Sequence, residues 1–288
     1  MPGKIIVTGA TGNIGTPLVK ALVEMKADFR AVTHSEEKAQ ALRGRGVDAA
    51  PADMSSGKGL DKAFEGGSVL FLLTPPFPQM GEAAHGLVSA AKKAGITHIV
   101  KLSAMGVGQE SISLAKWHRA VEVAIEQSGL GWTHLRPNSF MQNYLAFHAG
   151  AIKGHGMFYA PLGDGAVSYV DTRDVAAVAA VALTNPSAHA GKAYTITGPE
   201  ALNNQRVAAI LSEATGKAVT YVDVPESAAR DSMLKMGMPD WMAAALLELF
   251  AINKAGHTSA VTGDIKAVTG REPRTFAAFA RENVEAFR

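Results

Sequence analysis

His118 and Glu122 stand four residues apart in LAKWHRAVEVAIEQSG, so on a helix they share one face and can pair. An imidazole held by a carboxylate can give a proton to a developing oxyanion, although an ordinary surface pair has the same spacing. Ser103, in KLSAMG, ends an apolar run and adds a hydroxyl at the strand edge where doubly wound folds bind ligands. Near the N-terminus, VTGATGNIG follows Ile5 and Ile6 and places Gly9, Gly12 and Gly15 at G-x-x-G-x-x-G spacing. Between a strand and a helix that spacing suits a dinucleotide pyrophosphate. The first glycine permits the tight turn, the second lets the backbone approach the phosphates, and the third packs the helix on the strand. The helix N-terminus supplies N–H donors, and Thr11, Asn13 and Ile14 complete the candidate loop.

The nucleotide should be identified at the tip of the second strand, in RAVTHSEEKAQAL. An NAD site places a carboxylate there for the ribose 2′-hydroxyl, whereas an NADP site gathers cations and hydroxyls around a phosphate. This chain offers Thr33, His34, Ser35 and Lys38, which favours NADP and leaves NAD possible. Ser35 is equally a helix N-cap. Asp53, with Met54, ends the third strand, where a carboxylate can accept from the adenine amino group. Leu73, Thr74, Pro75 and Pro76 close the fourth and can wall the adenosine. A cap and a strand terminator would use the same residues.

The elements that must position these groups follow from short, mostly continuous apolar runs. Strands are expected at 4–8, 29–33, 47–52, 69–74, 96–103 and 132–137, alternating with helices near 16–26, 36–45, 60–65, 81–94 and 113–128. Strict alternation of this kind gives an α/β fold, a Rossmann-type doubly wound parallel sheet. The second half is less regular. An alanine-rich helix stops before Pro186, a strand spans 192–199, and a helix at 204–215 precedes a strand at 218–222. Met- and Ala-rich helices then run to about 253, and a last helix covers 275–287. The expected division is a dinucleotide-binding domain at 1–154, with 168–198 returning to it. The rest of 155–288 would form a smaller C-terminal α/β lobe.

The 288 residues are 47% hydrophobic, enough for a sizeable core. With 28 basic and 26 acidic side chains and no long run of like charge, the chain lacks the electrostatic footprint of a nucleic-acid binder. No apolar stretch suggests a membrane span or a cleaved signal. The chain has no cysteine, which removes disulfides and thiolate metal sites and fits a reducing cytoplasm. No metal site is expected: the nine histidines are scattered without a ligating helix pattern, and His85, His148, His155, His189 and His257 carry no functional assignment.

A short-chain dehydrogenase would use a Tyr-x-x-x-Lys helix to donate its proton, yet none of Tyr144, Tyr159, Tyr169, Tyr194 and Tyr221 has lysine four residues later. VTGATGNIG, WHRAVE, WTHLRPNSFMQN and YVDTRDVAAVAA together resemble the NmrA-like group of atypical short-chain dehydrogenases, over nearly the whole chain. The style is that of bacterial NAD(P)H-dependent quinone, azo-dye and triphenylmethane-dye reductases. That resemblance implies a Rossmann sheet with a smaller lobe and an active cleft between them. It also implies a His-x-x-x-Glu helix matched by His118 and Glu122, and a nicotinamide segment matched by Pro137, Asn138 and Phe140. His34 departs from it, since many relatives carry arginine there.

The implied cleft is aromatic, with Phe77, Trp117, Phe140, Tyr144 and Phe158 as its walls, suited to a small flat acceptor. Met141 and Phe147 are assigned to core packing. Catalysis would fall to His118, Ser103 and Asn138, in a monomer or homodimer that reduces a quinone or dye. The alternative is a non-catalytic, NmrA-like redox sensor. Sugar-nucleotide isomerisation on the same fold is disfavoured by the missing tyrosine.

Overall fold

The computed structural model describes residues 3–288. The first half builds β1 (Lys4–Val7), α1 (Gly15–Glu24), β2 (Phe29–Thr33), α2 (Glu36–Arg43), β3 (Ala49–Pro51), α3 (Leu60–Phe64), β4 (Gly67–Leu72), α4 (Met80–Lys93), β5 (His98–Leu102), α5 (Ser113–Glu126) and β6 (Gly131–Pro137). A π-helical turn at Tyr144–His148 leads to α6 (Ala149–His155), β7 (Met157–Ala160), α7 (Thr172–Thr184), α8 (Pro186–His189) and β8 (Lys192–Ile196). The chain ends with α9 (Asn204–Thr215), β9 (Thr220–Asp223), α10 (Glu226–Lys235), α11 (Asp240–Lys254), α12 (Asp264–Thr269), α13 (Phe276–Glu282) and α14 (Val284–Phe287).

Seven strands form one sheet in the order β3-β2-β1-β4-β5-β6-β8, and β7 pairs with β9 in a second, two-stranded sheet. Strands β1 to β6 run parallel, as in the pairing of Val7 with Ala31 on one side and Phe71 on the other. This is the Rossmann-type α/β fold expected from the alternation of short apolar runs and helices. The order reverses between β1 and β4, the position where open α/β sheets bind ligands beyond the strand ends.

Two compact units share the chain. One takes the chain up to Ser111, Ala115–Pro137 and Thr172–Thr195; the other takes Ile112–Leu114, Asn138–Asp171 and Ile196–Arg288. The first crossing after α5 therefore falls at Pro137, ahead of the boundary expected at 154. The reason is a pair of long-range bonds: Asn138 donates from Nδ2 to Ser168 Oγ (2.7 Å) and to the Thr258 carbonyl (2.8 Å), both in the second unit. The first unit buries Ile6, Leu70, Leu72, Ile99 and Val121 between the sheet and α3, α4 and α5. The second has an aromatic core in which Tyr144 meets Phe158, Tyr169 and Phe276 edge to face.

The later elements depart most from expectation. β7, α6 and α12 have weak sequence patterns, and the helix expected over 275–287 is broken at Asn283, whose Nδ2 turns back to the Phe279 carbonyl (2.8 Å). Pro186 ends one helix as expected and opens another at its N-terminal position.

The β1–α1 turn is the tightest point of the first unit. A Cβ on Gly15 would stand 2.0 Å from the Gly9 carbonyl oxygen and 2.7 Å from Ala10 Cα, both backbone atoms. A Cβ on Gly12 would find nothing nearer than 3.4 Å. Gly15→Ala should therefore destabilise the protein by about 2 kcal/mol, while Gly12→Ala should stay within about 0.5 kcal/mol of the parent. Urea denaturation of the two variants measures the difference.

Candidate active site

The loop after β1 is held by Thr8. Its hydroxyl donates to the carbonyls of Phe71 (2.9 Å) and Leu73 (3.1 Å) and accepts from the Leu73 N–H (2.8 Å), so the ends of β1 and β4 are tied together. Gly9 takes φ +65° beside the Leu73 side chain, a conformation that favours glycine. The Gly12 N–H closes on the Gly9 carbonyl at 3.0 Å. Thr11, Gly12 and Asn13 are exposed, whereas Ile14 and Gly15 are buried where α1 begins. No side chain caps α1 and its first turn holds no acid, so its N-terminal field is unopposed. Exposed backbone, an uncapped helix and a turn with no room for a Cβ suit a pyrophosphate.

At the tip of β2, Thr33 is buried and its hydroxyl donates to the Ser35 carbonyl (2.8 Å). Ser35 caps α2, accepting from the Lys38 N–H at 3.3 Å. His34 and Lys38 are exposed, and Glu36 pairs with Arg43 further along α2. The tip therefore presents a histidine, a lysine and the Ser35 hydroxyl to an anion, while Thr33 holds the turn from beneath. Asp53 closes its own loop: its carboxylate accepts from the Ser55 N–H (2.8 Å) and Ser56 Oγ (2.7 Å), and these bonds lower its pKa. Its neighbour Met54 packs partly buried on the first unit's core. Beyond β4, Leu73, Thr74 and Pro76 are half-buried and Pro75 is exposed.

Beside the hydrocarbon of Ile99, Val121 and Ile125, the surface of β5 and β6 beneath α5 also carries charge. Glu122 has a fully buried side chain, and Arg136 grips its carboxylate at 3.0 and 2.8 Å while Arg119 adds a contact at 3.1 Å. Burial would raise the Glu122 carboxyl, but the Arg136 fork overcomes it and holds it at about 2. Arg119 also forks onto Glu126, which reaches His134 Nε2 at 3.1 Å. Glu122, Glu126 and His134 lie close enough to ligate a metal, but both carboxylates are already matched by guanidinium groups, so the cluster reads as an ion-pair network.

The expected His118–Glu122 pair does not form, because the arginines take Glu122. His118 turns instead to Lys101 Nζ, 3.0 Å from its Nδ1. Lys101 lies on β5, is 1% exposed and also donates to the Leu102 carbonyl (3.0 Å). Burial pulls the lysine down to about 7 and the histidine to about 3, the second helped by the neighbouring ammonium. Sequence reasoning missed Lys101. One signal was available, a lone lysine inside the apolar run HIVKL. Ser103 is buried on the same face of β5, and its Oγ lies in the field of Glu122 with no aligned hydrogen-bond partner.

Three expected site residues are structural. Asn138 is no free catalytic group: Nδ2 bonds Ser168 and Thr258, and Oδ1 accepts from the Ser139 N–H (2.8 Å). Tyr144 and Phe158, expected as pocket walls, are core of the second unit, with the Tyr144 hydroxyl spent on Asn204 Oδ1 (2.6 Å). Their aromatic neighbours outcompete a ligand for their faces. Met141 is core as expected, but Phe147 is 64% exposed because the π-helical turn rotates it outward. Phe77 and Trp117 are half-buried at the edge of the first unit's core, Phe140 is half-buried in the second unit, and Pro137 is buried at the end of β6.

Glu122 has a folded-state pKa below its usual value, so its stabilisation is complete above about 4.5 and disappears as pH falls toward 2. Glu122→Gln should remove about 3 kcal/mol at pH 6 by stranding Arg136. It should also flatten the acid limb of the stability profile between those values, as measured by urea unfolding across pH.

Three comparisons place the chain. A bacterial NAD(P)H azoreductase from Xenophilus azovorans is 40% identical over 98% of this chain and 99% of its own length. The crystal structure of NADPH-dependent quinone oxidoreductase QOR2 from Escherichia coli, complexed with NADPH, superposes with a TM-score of 0.86 at 28% identity, covering 96% of this chain and 99% of that one. Triphenylmethane reductase from Citrobacter sp., complexed with NADP(H), gives 0.85 at 26% identity, covering 98% and 99%. The profile of the NmrA-like family matches residues 1–286, and the chain belongs to that family.

Proposed function

We propose that this protein is an NADP(H)-dependent reductase that passes hydride to a flat, hydrophobic acceptor such as a quinone or an azo or aryl dye. The observation that carries the reading is the loop from Gly9 to Gly15: exposed residues at its middle, an uncapped helix and no space for a Cβ at Gly15, where the sheet order reverses. The azoreductase, quinone and dye reductases named above support the reaction class.

Gly9, Thr11, Gly12, Asn13, Ile14 and Gly15 hold the pyrophosphate, and Thr33, His34, Ser35 and Lys38 receive the ribose 2′-phosphate. Asp53, Met54 and Leu73 to Pro76 border the adenosine, and Pro137 and Phe140 flank the nicotinamide. When bound, the nicotinamide supplies the hydride. Phe77 and Trp117, partly buried at the edge of the first unit's core, offer ring surface to an aromatic acceptor. His118 holds a transferable proton for an acceptor oxygen, taking the part that tyrosine plays in enzymes with a Tyr-Lys pair.

Among the described residues no helix is long and apolar enough to cross a membrane. The reading is of a cytoplasmic monomer or homodimer acting on small molecules, without a nucleic-acid partner.

Purified protein should oxidise NADPH with members of a quinone and dye panel; no turnover above background with any acceptor would refute the proposal. Nucleotide binding without turnover, with different calorimetric affinities for the oxidised and reduced forms, would point instead to a redox sensor. His34→Asp should move the NADPH-to-NADH ratio of kcat/KM toward NADH by about tenfold, the worth of one charge-assisted contact. An unchanged ratio would remove His34 from the 2′-phosphate site.

A further inference from the structure

Lys101, the group that contacts His118 directly, is left unused by the reaction as described. A buried lysine ammonium costs free energy unless something compensates it. The groups around it are Ser103 just past the end of its own strand, His118 and Glu122 on α5, and His134 and Arg136 on β6. The carboxylate of Glu122 is matched by arginine, which leaves His118 Nδ1 and the Leu102 carbonyl as the acceptors Lys101 donates to.

His118 makes no other hydrogen bond among the described residues, and the residue keeps some solvent exposure. With an ammonium on Nδ1, the neutral imidazole must carry its proton on Nε2. The arrangement is directional, with a buried donor behind the ring and a donor N–H in front.

We propose that Lys101 is the positioning and proton-supplying residue for His118, fixing its Nε2–H tautomer and refilling it after each turnover. The inference rests on the reductase reading. Hydride addition to a quinone breaks the dihydronicotinamide C–H bond with its electron pair and leaves one acceptor oxygen as an oxyanion. That oxygen takes the proton from His118 Nε2, while Nδ1 takes one from Lys101 Nζ. That leaves a neutral imidazole protonated on Nδ1 beside the Lys101 amine. Solvent then protonates Nε2 while the Nδ1 proton returns to Lys101 Nζ, restoring the Nε2–H tautomer and the buried ammonium. Oxidised nucleotide and hydroquinone are the products, with one solvent proton consumed. A triphenylmethane cation needs none of this, because hydride alone converts it to the neutral leuco dye.

The two acceptors separate the proposal from its premise. Lys101→Met keeps the volume and removes the proton. It should lower kcat for the quinone by on the order of tenfold to a hundredfold, change kcat for the cationic dye by less than about threefold, and flatten the pH profile for the quinone alone. Equal losses on both acceptors, or none on the quinone, would overturn the proposal. A wild-type protein that reduces neither would refute the reductase reading.

Nitrogen-15 NMR of the histidine rings in nucleotide-free protein at pH 6 reads the pair independently of turnover. His118 should be neutral with its proton on Nε2, and Lys101→Met should give a tautomer mixture. A wild-type ring protonated at Nδ1 would overturn the assignment whatever the kinetics. Lys101→Arg preserves the charge without a readily transferable proton, so it should retain the tautomer and lose the quinone rate.

Discussion

A carboxylate with no solvent contact organises this protein's polar interior. Glu122 is buried on α5, and an ion in that position is tolerated only because Arg136 from β6 and Arg119 from its own helix complete its hydrogen bonding. The bidentate contact does more than neutralise charge. It fixes the rotation and height of α5 over β5 and β6, and that placement brings His118 to Lys101. Hydrocarbon packing at the same interface would hold the helix with far less directional preference.

The glycine turn is a second constraint, of purely steric origin. Gly15 packs its Cα against the Gly9 carbonyl so closely that no other residue fits, and Thr8 ties the turn to the end of β4. Both constraints lie in the unit built on β1 to β6, so the features suited to holding a dinucleotide and to holding a proton share one rigid sheet. The second unit is stabilised differently, through an aromatic core around Tyr144, Phe158, Tyr169 and Phe276. Rings that look available for a ligand in the sequence are there occupied by one another.

The sheet was legible because its inner strands β1, β2, β4 and β5 are buried along most of their length and so appear as mostly apolar runs between helical stretches. The cofactor loop was legible because its glycine spacing reflects local sterics, which operate within a few residues. Legibility declined after β6. β7 is four residues long and half exposed, and α12 is a six-residue helix. Neither is long enough to show a period. The unit boundary was misplaced because Asn138, an ordinary polar residue in the sequence, draws its hydrogen bonds from positions 30 and 120 residues further along the chain.

Taken alone, the sequence determined the α/β alternation, the glycine turn and the absence of a Tyr-Lys pair, since each is a property of neighbouring residues. The tertiary structure decided which polar groups remain available. The spacing of His118 and Glu122 suggested a pair, but Arg136 from β6, with Arg119 one turn away on α5, claims the carboxylate and a lysine from β5 claims the imidazole. Hydrogen bonding is a competition among all groups brought within about 3 Å, and sequence spacing names only the competitors on one helix.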